Sequence, residues 1–227
     1  MSRILLLETS SYTGSVAIGI QGNSTRFLAT DSEQKNSEEI HSLIESVLQN
    51  EGIGYTELDA IAVSAGPGSY TGLRIGVSLA KGLCFALNKP LIAVSTLEVM
   101  ASGFILRNPG FEGFICPMLD ARRLEVYASV FNHQLKRIAE DQPMIMDQAL
   151  SWPFPVQSPV CFLGNGVSKS IPYLGMFSQA CFLPDATPNA SDMAKLAEDK
   201  WQAQEFQDLA WFEPAYLKPF QGKPQVT

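Results

Sequence analysis

Residues 64–74 read Ser64-Ala65-Gly66-Pro67-Gly68-Ser69-Tyr70-Thr71-Gly72-Leu73-Arg74, a glycine-punctuated loop between an apolar run, Leu58 to Ser64, and a longer apolar segment, Gly72 to Leu87. The run predicts a strand and the segment a helix, so the fold must contain a strand–loop–helix unit built around this loop. The apolar residues of the helix surround its axis rather than striping it, which predicts burial on more than one side. Glycines let backbone approach a ligand, and a helix N-terminus offers unpaired N–H groups to an anion, so one reading is a phosphate loop. The other is a tight turn whose glycines allow close packing, with Ser69 capping the helix. No Gly-Lys-Ser/Thr follows, the Gly66, Gly68, Gly72 spacing misses the dinucleotide fingerprint by one residue, and no G-x-S-x-G occurs. A Walker A loop and a nucleophile elbow are thereby excluded. Spacing alone leaves the phosphate loop and the packing turn both open.

Around this unit the pattern is strand-first. Ile4 to Leu7, Ser15 to Ile20 and Ser24 to Ala29 predict a three-strand antiparallel meander, turning at residues 9–14 and 21–23. Asn36 and Glu39 form a capping-box pattern before Ile40, Leu43, Ile44, Val47 and Leu48, whose spacing marks one face of a helix. Leu91 to Val94 predicts a short strand, and Ser95 with Glu98 a second capping box opening a helix to about Leu106. Strands return at Phe114–Leu119 and Leu124–Phe131, then Pro153, Pro155 and Pro159 interrupt the pattern before a strand at Val160–Leu163 that ends in Gly164-Asn165-Gly166. Ser191 predicts the cap of a helix reaching about Gln204. The order predicts an α/β protein of two related halves: residues 1–106, a smaller unit over 107–204, and a segment at about 205–220 packing back on the first.

A chain of 227 residues buries roughly 70–75% of its unfolded surface and needs no covalent staple. Its net charge of −7 and pI near 4.9 argue against gripping nucleic acid alone, since phosphate binding needs clustered Lys and Arg. Charged residues make up only 17% and apolar ones 46%, which argues against disorder and for surface covered by a partner. Cys84, Cys116, Cys161 and Cys181 include no C-x-x-C pair and read as free buried thiols. The N-terminal apolar stretch is too short for a signal core and no run spans a bilayer, so a reduced cytoplasmic setting without membrane contact is expected. His41 and His133 lack a second His at ligand spacing, and no metal site is expected. Residues 31–59 carry eight acidic side chains and only Lys35, whereas residues 60–97 carry Arg74, Lys81 and Lys89 with no acid, which reads either as two solvated faces of opposite sign or as complementary helices that help orient a partner.

Two further motifs meet turns. Glu8-Thr9-Ser10 ends the first strand, where a carboxylate and hydroxyls could hold a metal-bound water or a ligand hydroxyl, or merely bond their own turn. Asp120-Ala121-Arg122-Arg123-Leu124-Glu125-Val126-Tyr127 reads alone as a hairpin turn with Asp120 and Arg122 paired.

Taken together, Ile4-Leu5-Leu6-Leu7-Glu8-Thr9-Ser10, the run from Gly66 to Gly76, Val94-Ser95-Thr96-Leu97, the Asp120 to Tyr127 motif and Pro214-Ala215-Tyr216-Leu217-Lys218 resemble the bacterial TsaB (YeaZ) family, densely over residues 1–131. That resemblance implies an actin-like ATPase-superfamily fold with a reduced second subdomain. It implies work in making tRNA threonylcarbamoyladenosine, beside the anticodon, as a non-catalytic partner of a TsaD-type transferase, with a TsaE-type ATPase joining them and tRNA reached through the complex. It also implies a homodimer as the alternative pairing. In TsaD a His-x-x-x-His pair on the first helix holds a metal; here the stretch is Asn36-Ser37-Glu38-Glu39-Ile40, so no transfer chemistry is expected. Glu8 stands where the family usually has Asp, and Asn36 where relatives often have His. No catalytic residue and no resident cofactor follow, beyond a weakly held or interface-shared nucleotide at degenerate loops comprising Glu8, Thr9, Ser10, Gly66, Gly68, Ser69, Gly72, Asp120 and Arg122. The family's interface helices map onto Ile40, Leu43, Ile44, Val47 and Leu48, and onto Leu73, Val77, Ala80, Leu83, Cys84 and Leu87. The rival expectation is a kinase or hydrolase holding ATP and magnesium at Glu8 and Gly66–Gly72, with Gly164-Asn165-Gly166 as its second phosphate loop. A protease is disfavoured, since no nucleophile–base pair is visible.

Overall fold

The computed structural model describes residues 1–25, 27–30, 36–147 and 151–218, and for residues 36–38 the backbone alone. The side chains of the predicted Asn36 capping box therefore lie outside the described ones. Strand β1 (Arg3–Glu8) pairs antiparallel with β2 (Ser15–Ile20), which carries β3 (Asn23–Ser24) and β4 (Leu28–Ala29) on its other edge. Helix α1 (Asn36–Glu51) leads to β5 (Ala60–Ser64), helix α2 (Tyr70–Leu87) to β6 (Leu91–Val94), and helix α3 (Thr96–Arg107) follows. Strands β1, β5 and β6 run parallel, giving the order β3-β2-β1-β5-β6.

The second sheet repeats this plan. An antiparallel meander of β7 (Phe114–Asp120), β8 (Glu125–Asn132) and β9 (Arg137–Ile145) is followed by parallel β10 (Val160–Leu163) and β11 (Ala180–Leu183), in the order β9-β8-β7-β10-β11. The two related halves expected from the sequence are thus two sheets of one topology. Between β10 and β11 stand one α-helical turn, α4 (Val167–Ser170), and a 3₁₀ turn at Ile171–Tyr173, where the first half has the 18-residue α2 between β5 and β6, so the second half is the reduced one.

Packing follows from which faces must be covered. Helices α1 and α2 lie on one face of the first sheet, where Ile40, Ile44, Val47 and Leu48 meet Leu5, Val63 and Val77. The opposite face takes Ala190, Met193, Ala194 and Ala197, from a 3₁₀ turn at 190–193 and helix α5 (Ala194–Gln202). Residues 190–202 therefore belong to the first half, and the return begins well before the predicted residue 205. Helix α3 cannot cover that face alone: Val99 reaches it, but Leu97, Met100, Ala101 and Phe104 pack on the second sheet. Predicted within the first unit, α3 is shared by both. The final segment runs back along the first sheet, with the Gln207 N–H on the Leu91 carbonyl at 2.9 Å and Leu209 and Phe212 against the α1–α2 layer.

The predicted caps of α2 and α3 are present, Ser69 accepting from the Gly72 N–H at 3.2 Å and Ser95 from the Glu98 N–H at 3.3 Å. Near residue 190 the cap is Asn189, which accepts from the Ser191 N–H, rather than Ser191 itself. Helix α2 departs from the sequence expectation in its surroundings. Its inward face is buried, but Ser78, Gly82 and Ala86 are exposed and Phe85 is 83% exposed. An inward-facing residue should therefore be felt and an outward one should not. Ile44→Ala is expected to lower the unfolding free energy by about 2–5 kcal/mol, read as a fall in urea midpoint at unchanged slope. Phe85→Ala should stay within about 0.5 kcal/mol of the parent in the same titration.

Candidate functional site

Three strand ends of the first sheet converge: β1 delivers Glu8 and the turn after it, β5 delivers Ser64 and the glycine loop, and β6 delivers the Ser95 cap of α3. Ligand crevices of open α/β sheets form at such carboxyl ends. Here the crevice is filled by the chain itself. The Ser69 N–H donates to the Ser10 carbonyl at 2.7 Å, and a methyl group on Gly68 or Gly72 would collide with the carbonyl of Ser10 or Thr9. One on Gly76 would strike the Thr9 hydroxyl. The Gly72 N–H is taken by Ser69. Of the two readings of this loop, the geometry is that of the packing turn: its glycines admit another backbone, and two of the N–H groups an anion would use already bond protein oxygens. Further bonds fix the loop, from Ala65 N–H to Val94 carbonyl (2.7 Å) and from Thr96 N–H to Gly66 carbonyl (2.9 Å).

Glu8 is fully buried. Its Oε1 accepts from the Ser10 N–H at 2.6 Å and the Ser10 hydroxyl at 2.5 Å, while Oε2 has no partner. Burial raises its pKa from 4.5 to about 7, and the charge of Asp192 adds to the rise against the opposing pull of Ser10 and Ser64. The buried hydroxyls of Thr9 and Thr96 are likewise unpartnered. No cluster of three metal-ligating side chains occurs among the described residues.

Asp120 and Arg122 stand apart from this group. Asp120 accepts from the Arg122 backbone N–H at 2.7 Å and pairs with Lys169, so the predicted Asp120–Arg122 side-chain pair is replaced by an Asp120–Lys169 pair. Arg122 and Arg123 both sit at positive φ in this turn, 69° and 47°, and it is the Arg122 backbone N–H, not its guanidinium, that meets Asp120. Asn165 of the second glycine motif accepts from the Asp120 N–H at 2.8 Å. The C-terminal segment links the two regions. Ala215 donates to the Ala65 carbonyl at 2.7 Å, Tyr216 accepts from Arg74 at 3.2 Å, and Lys218 pairs with Glu125.

The predicted interface residues need correction. Ile40, Ile44, Val47, Leu48, Val77, Ala80 and Cys84 are core residues of this chain, buried between the helices and their own sheet, and Leu73 is buried beside Gly66. Leu43, Leu83 and Leu87 are half-buried against that core. A helical apolar stripe satisfies its own sheet first, and periodicity cannot distinguish that from a partner. The face left over is the outward one, with Ile75, Leu79 and Leu83 half-exposed beside Ser78, Gly82, Phe85 and Ala86.

The family model of TsaD, the tRNA N6-adenosine threonylcarbamoyltransferase, matches residues 29–225. A Bacillus subtilis protein, tRNA threonylcarbamoyladenosine biosynthesis protein TsaB, is 31% identical over 222 residues, covering 95% of this chain and 93% of that one. This chain belongs to the TsaB family. A Pseudomonas aeruginosa crystal structure, of a protein with similarity to the peptidase YeaZ, superposes with TM-score 0.84 at 25% identity, over 96% of this chain and 100% of that one. Component A of the Acidaminococcus fermentans (R)-2-hydroxyglutaryl-CoA dehydratase does so with TM-score 0.51 at 11% identity, over 88% and 99%. The fold is the actin-like ATPase fold, and the TsaB family places the chain in tRNA threonylcarbamoyladenosine biosynthesis.

The Glu8 side chain doubles back onto its own turn at Ser10 rather than standing free in the crevice. Sequence reasoning missed Asp192, which is 3% exposed and bonded through both oxygens to Arg107 at 2.9 and 3.0 Å. Ser102 also donates to its backbone carbonyl at 2.9 Å, so Asp192 ties the 3₁₀ turn to α3 beneath Glu8. The pair is 85 residues apart, and no local pattern announces it. All of the described helices are too short or too polar to cross a membrane.

A carboxyl whose folded pKa is raised holds its proton in the native state after the unfolded chain has lost it. Its contribution to stability is therefore present below about pH 4.5 and is lost as pH rises towards 7. Glu8→Gln keeps an acceptor for Ser10 and carries no titrating group. Relative to that variant, the parent should lose about 2–3 kcal/mol of unfolding free energy between those pH values, measured by urea titration across the range.

Proposed function

We propose that this TsaB-family chain is a non-catalytic subunit that binds and supports a TsaD-type transferase through the outward face of the α1–α2 layer. The observation that carries the reading is Phe85, 83% exposed on a helix whose outward side bears Ile75, Leu79, Gly82 and Ala86. A lone exposed aromatic is ordinary, but one set in a helical stripe of apolar and small residues suits close packing of a second helix, with Phe85 as the central anchor. The chain matches the TsaD model over most of its length, so a partner of that family offers an equivalent helix pair about a pseudo-two-fold axis. A second copy of this chain could occupy the same face, and the transferase competes with it.

The crevice supports the absence of chemistry here. Two N–H groups at the start of α2, those of Ser69 and Gly72, meet protein oxygens, and the buried Glu8 carboxyl bonds its own turn. A chain of net charge −7 leaves the phosphate contacts with tRNA to its partner, and a TsaE-type ATPase would join the assembled pair rather than this subunit alone. Phe85→Glu should leave the folded chain intact and abolish co-elution with a TsaD-type transferase in size-exclusion chromatography. Unchanged co-elution of both Phe85→Glu and Gly82→Trp would place the interface elsewhere. Tight binding and turnover of ATP with magnesium by the isolated chain, read by calorimetry, would instead favour the kinase or hydrolase reading.

A further inference from the structure

Cys161 on β10 and Cys181 on β11 are paired residues in the parallel register of adjacent strands. Such residues project to the same face, and neighbouring strands lie about 4.8 Å apart, within the Cα separation of about 4.4–6.8 Å that disulfides span. Cys161 is buried on the face that meets α3, in company with Ile115 and Leu163. β11 is the edge strand, and there α3 no longer covers the sheet: Cys181 and Leu183 are both exposed. The expectation of four buried thiols therefore fails at Cys181 alone. Two residues further along, the next same-face pair, Leu163 and Leu183, lines a cavity of about 160 Å³ with Met100, Phe104 and Arg107. The dithiol thus lies beside an opening at the sheet edge, one sulfur exposed and the other directly behind it. Burial pushes the Cys161 thiol up, and the adjoining Cys181 thiol, then Cys116, add to the rise, whereas burial alone raises Cys116.

We propose that Cys161 and Cys181 form a peroxide-sensitive dithiol that closes to a disulfide, stapling edge strand β11 to β10. The exposed Cys181 sulfur attacks hydrogen peroxide, the O–O bond breaks, and Cys181 sulfenic acid and one water result. The Cys161 sulfur then attacks the Cys181 sulfur, the S–O bond breaks, and the hydroxyl leaves with the Cys161 proton as a second water. The two sulfurs together lose two electrons and peroxide gains them. A thiol reductant reverses the bond.

The test uses the full chain, exposed to hydrogen peroxide, denatured, alkylated without reductant and digested with trypsin. Cleavage at Lys169 separates the two cysteines. The expected product is a linked peptide pair that a thiol reductant releases, from an intact monomer lighter by about 2 Da, with Cys84 and Cys116 alkylated. Cys181→Ser, on the exposed edge, should leave the other three thiols fully alkylated, and Cys161→Ala should let Cys181 proceed to sulfinic acid. In the parent chain, sulfinic acid or an intermolecular link at Cys181 with Cys161 still alkylated would overturn the proposal. The parent measurement stands whether or not the Cys161 variant folds.

Discussion

The rest of the molecule hangs on the approach of two backbones: the turn after β1 against the first two turns of α2. Gly68, Gly72 and Gly76 strip side chain from one side of that contact, and the carbonyls of Thr9 and Ser10 enter the space. Ser69 is bound from both directions, its N–H on Ser10 and its hydroxyl under Gly72. The contact joins β1 to the helix following β5, and β6 is drawn in by the bond from Ala65 to Val94. A side chain at any of the three glycines would force apart the three parallel strand ends that the first half is built around. The same contact explains why a crevice in the position used by ligands in open α/β sheets is occupied by protein oxygen atoms, leaving Glu8 to bond within its own turn.

Much of this architecture was legible. Strands β1, β2, β5 and β10 announce themselves as apolar runs, and α1 to α3 by periodicity and caps, since each has a buried face written in consecutive residues. Strand β9 was not legible because its residues alternate between half-buried and exposed, carry Glu140 and Asp141, and include Pro143 at the sheet edge. β11 is four residues long on the other edge. Edge strands owe their existence to a neighbour's hydrogen bonds more than to their own burial, so their sequences carry little signal.

Part of the predicted loop set comes together at the first sheet, while Asp120 and Arg122 stand apart on the second. Glu8, Thr9, Ser10, Gly68, Ser69 and Gly72 do come together, yet spacing could not choose between a phosphate loop and a packing turn. The deciding atoms, the carbonyls of Thr9 and Ser10, lie some sixty residues from the glycines in the chain. Asp192 escaped notice for a similar reason, because its partner Arg107 is on another element and the acid sits in a short polar turn. The stripe of α1 failed differently. Its periodicity correctly marked a buried face, but Ile44 and Val47 are buried by the chain's own sheet, a distinction that no pattern within one helix contains.

Helix geometry connects the filled crevice to the proposed pairing surface. At about 100° per residue, nine residues from Gly76 to Phe85 turn the helix through two and a half turns, which sets Phe85 on the side opposite Gly76. Seating Gly76 against Thr9 therefore aims Phe85 away from the sheet, and any rotation of α2 that relaxed the first contact would pull the second out of position. The far end is held as well: Lys81 donates to the Phe212 carbonyl at 3.1 Å, and Asn88 closes the helix in the left-handed conformation with its N–H on the last carbonyls. A phosphate loop at the N-terminus of α2 would need that end open to its ligand. A subunit that presents α2 to another protein needs the opposite, a helix fixed in rotation at both ends, and the glycine loop that bonds the chain's own backbone supplies the first of those fixed points.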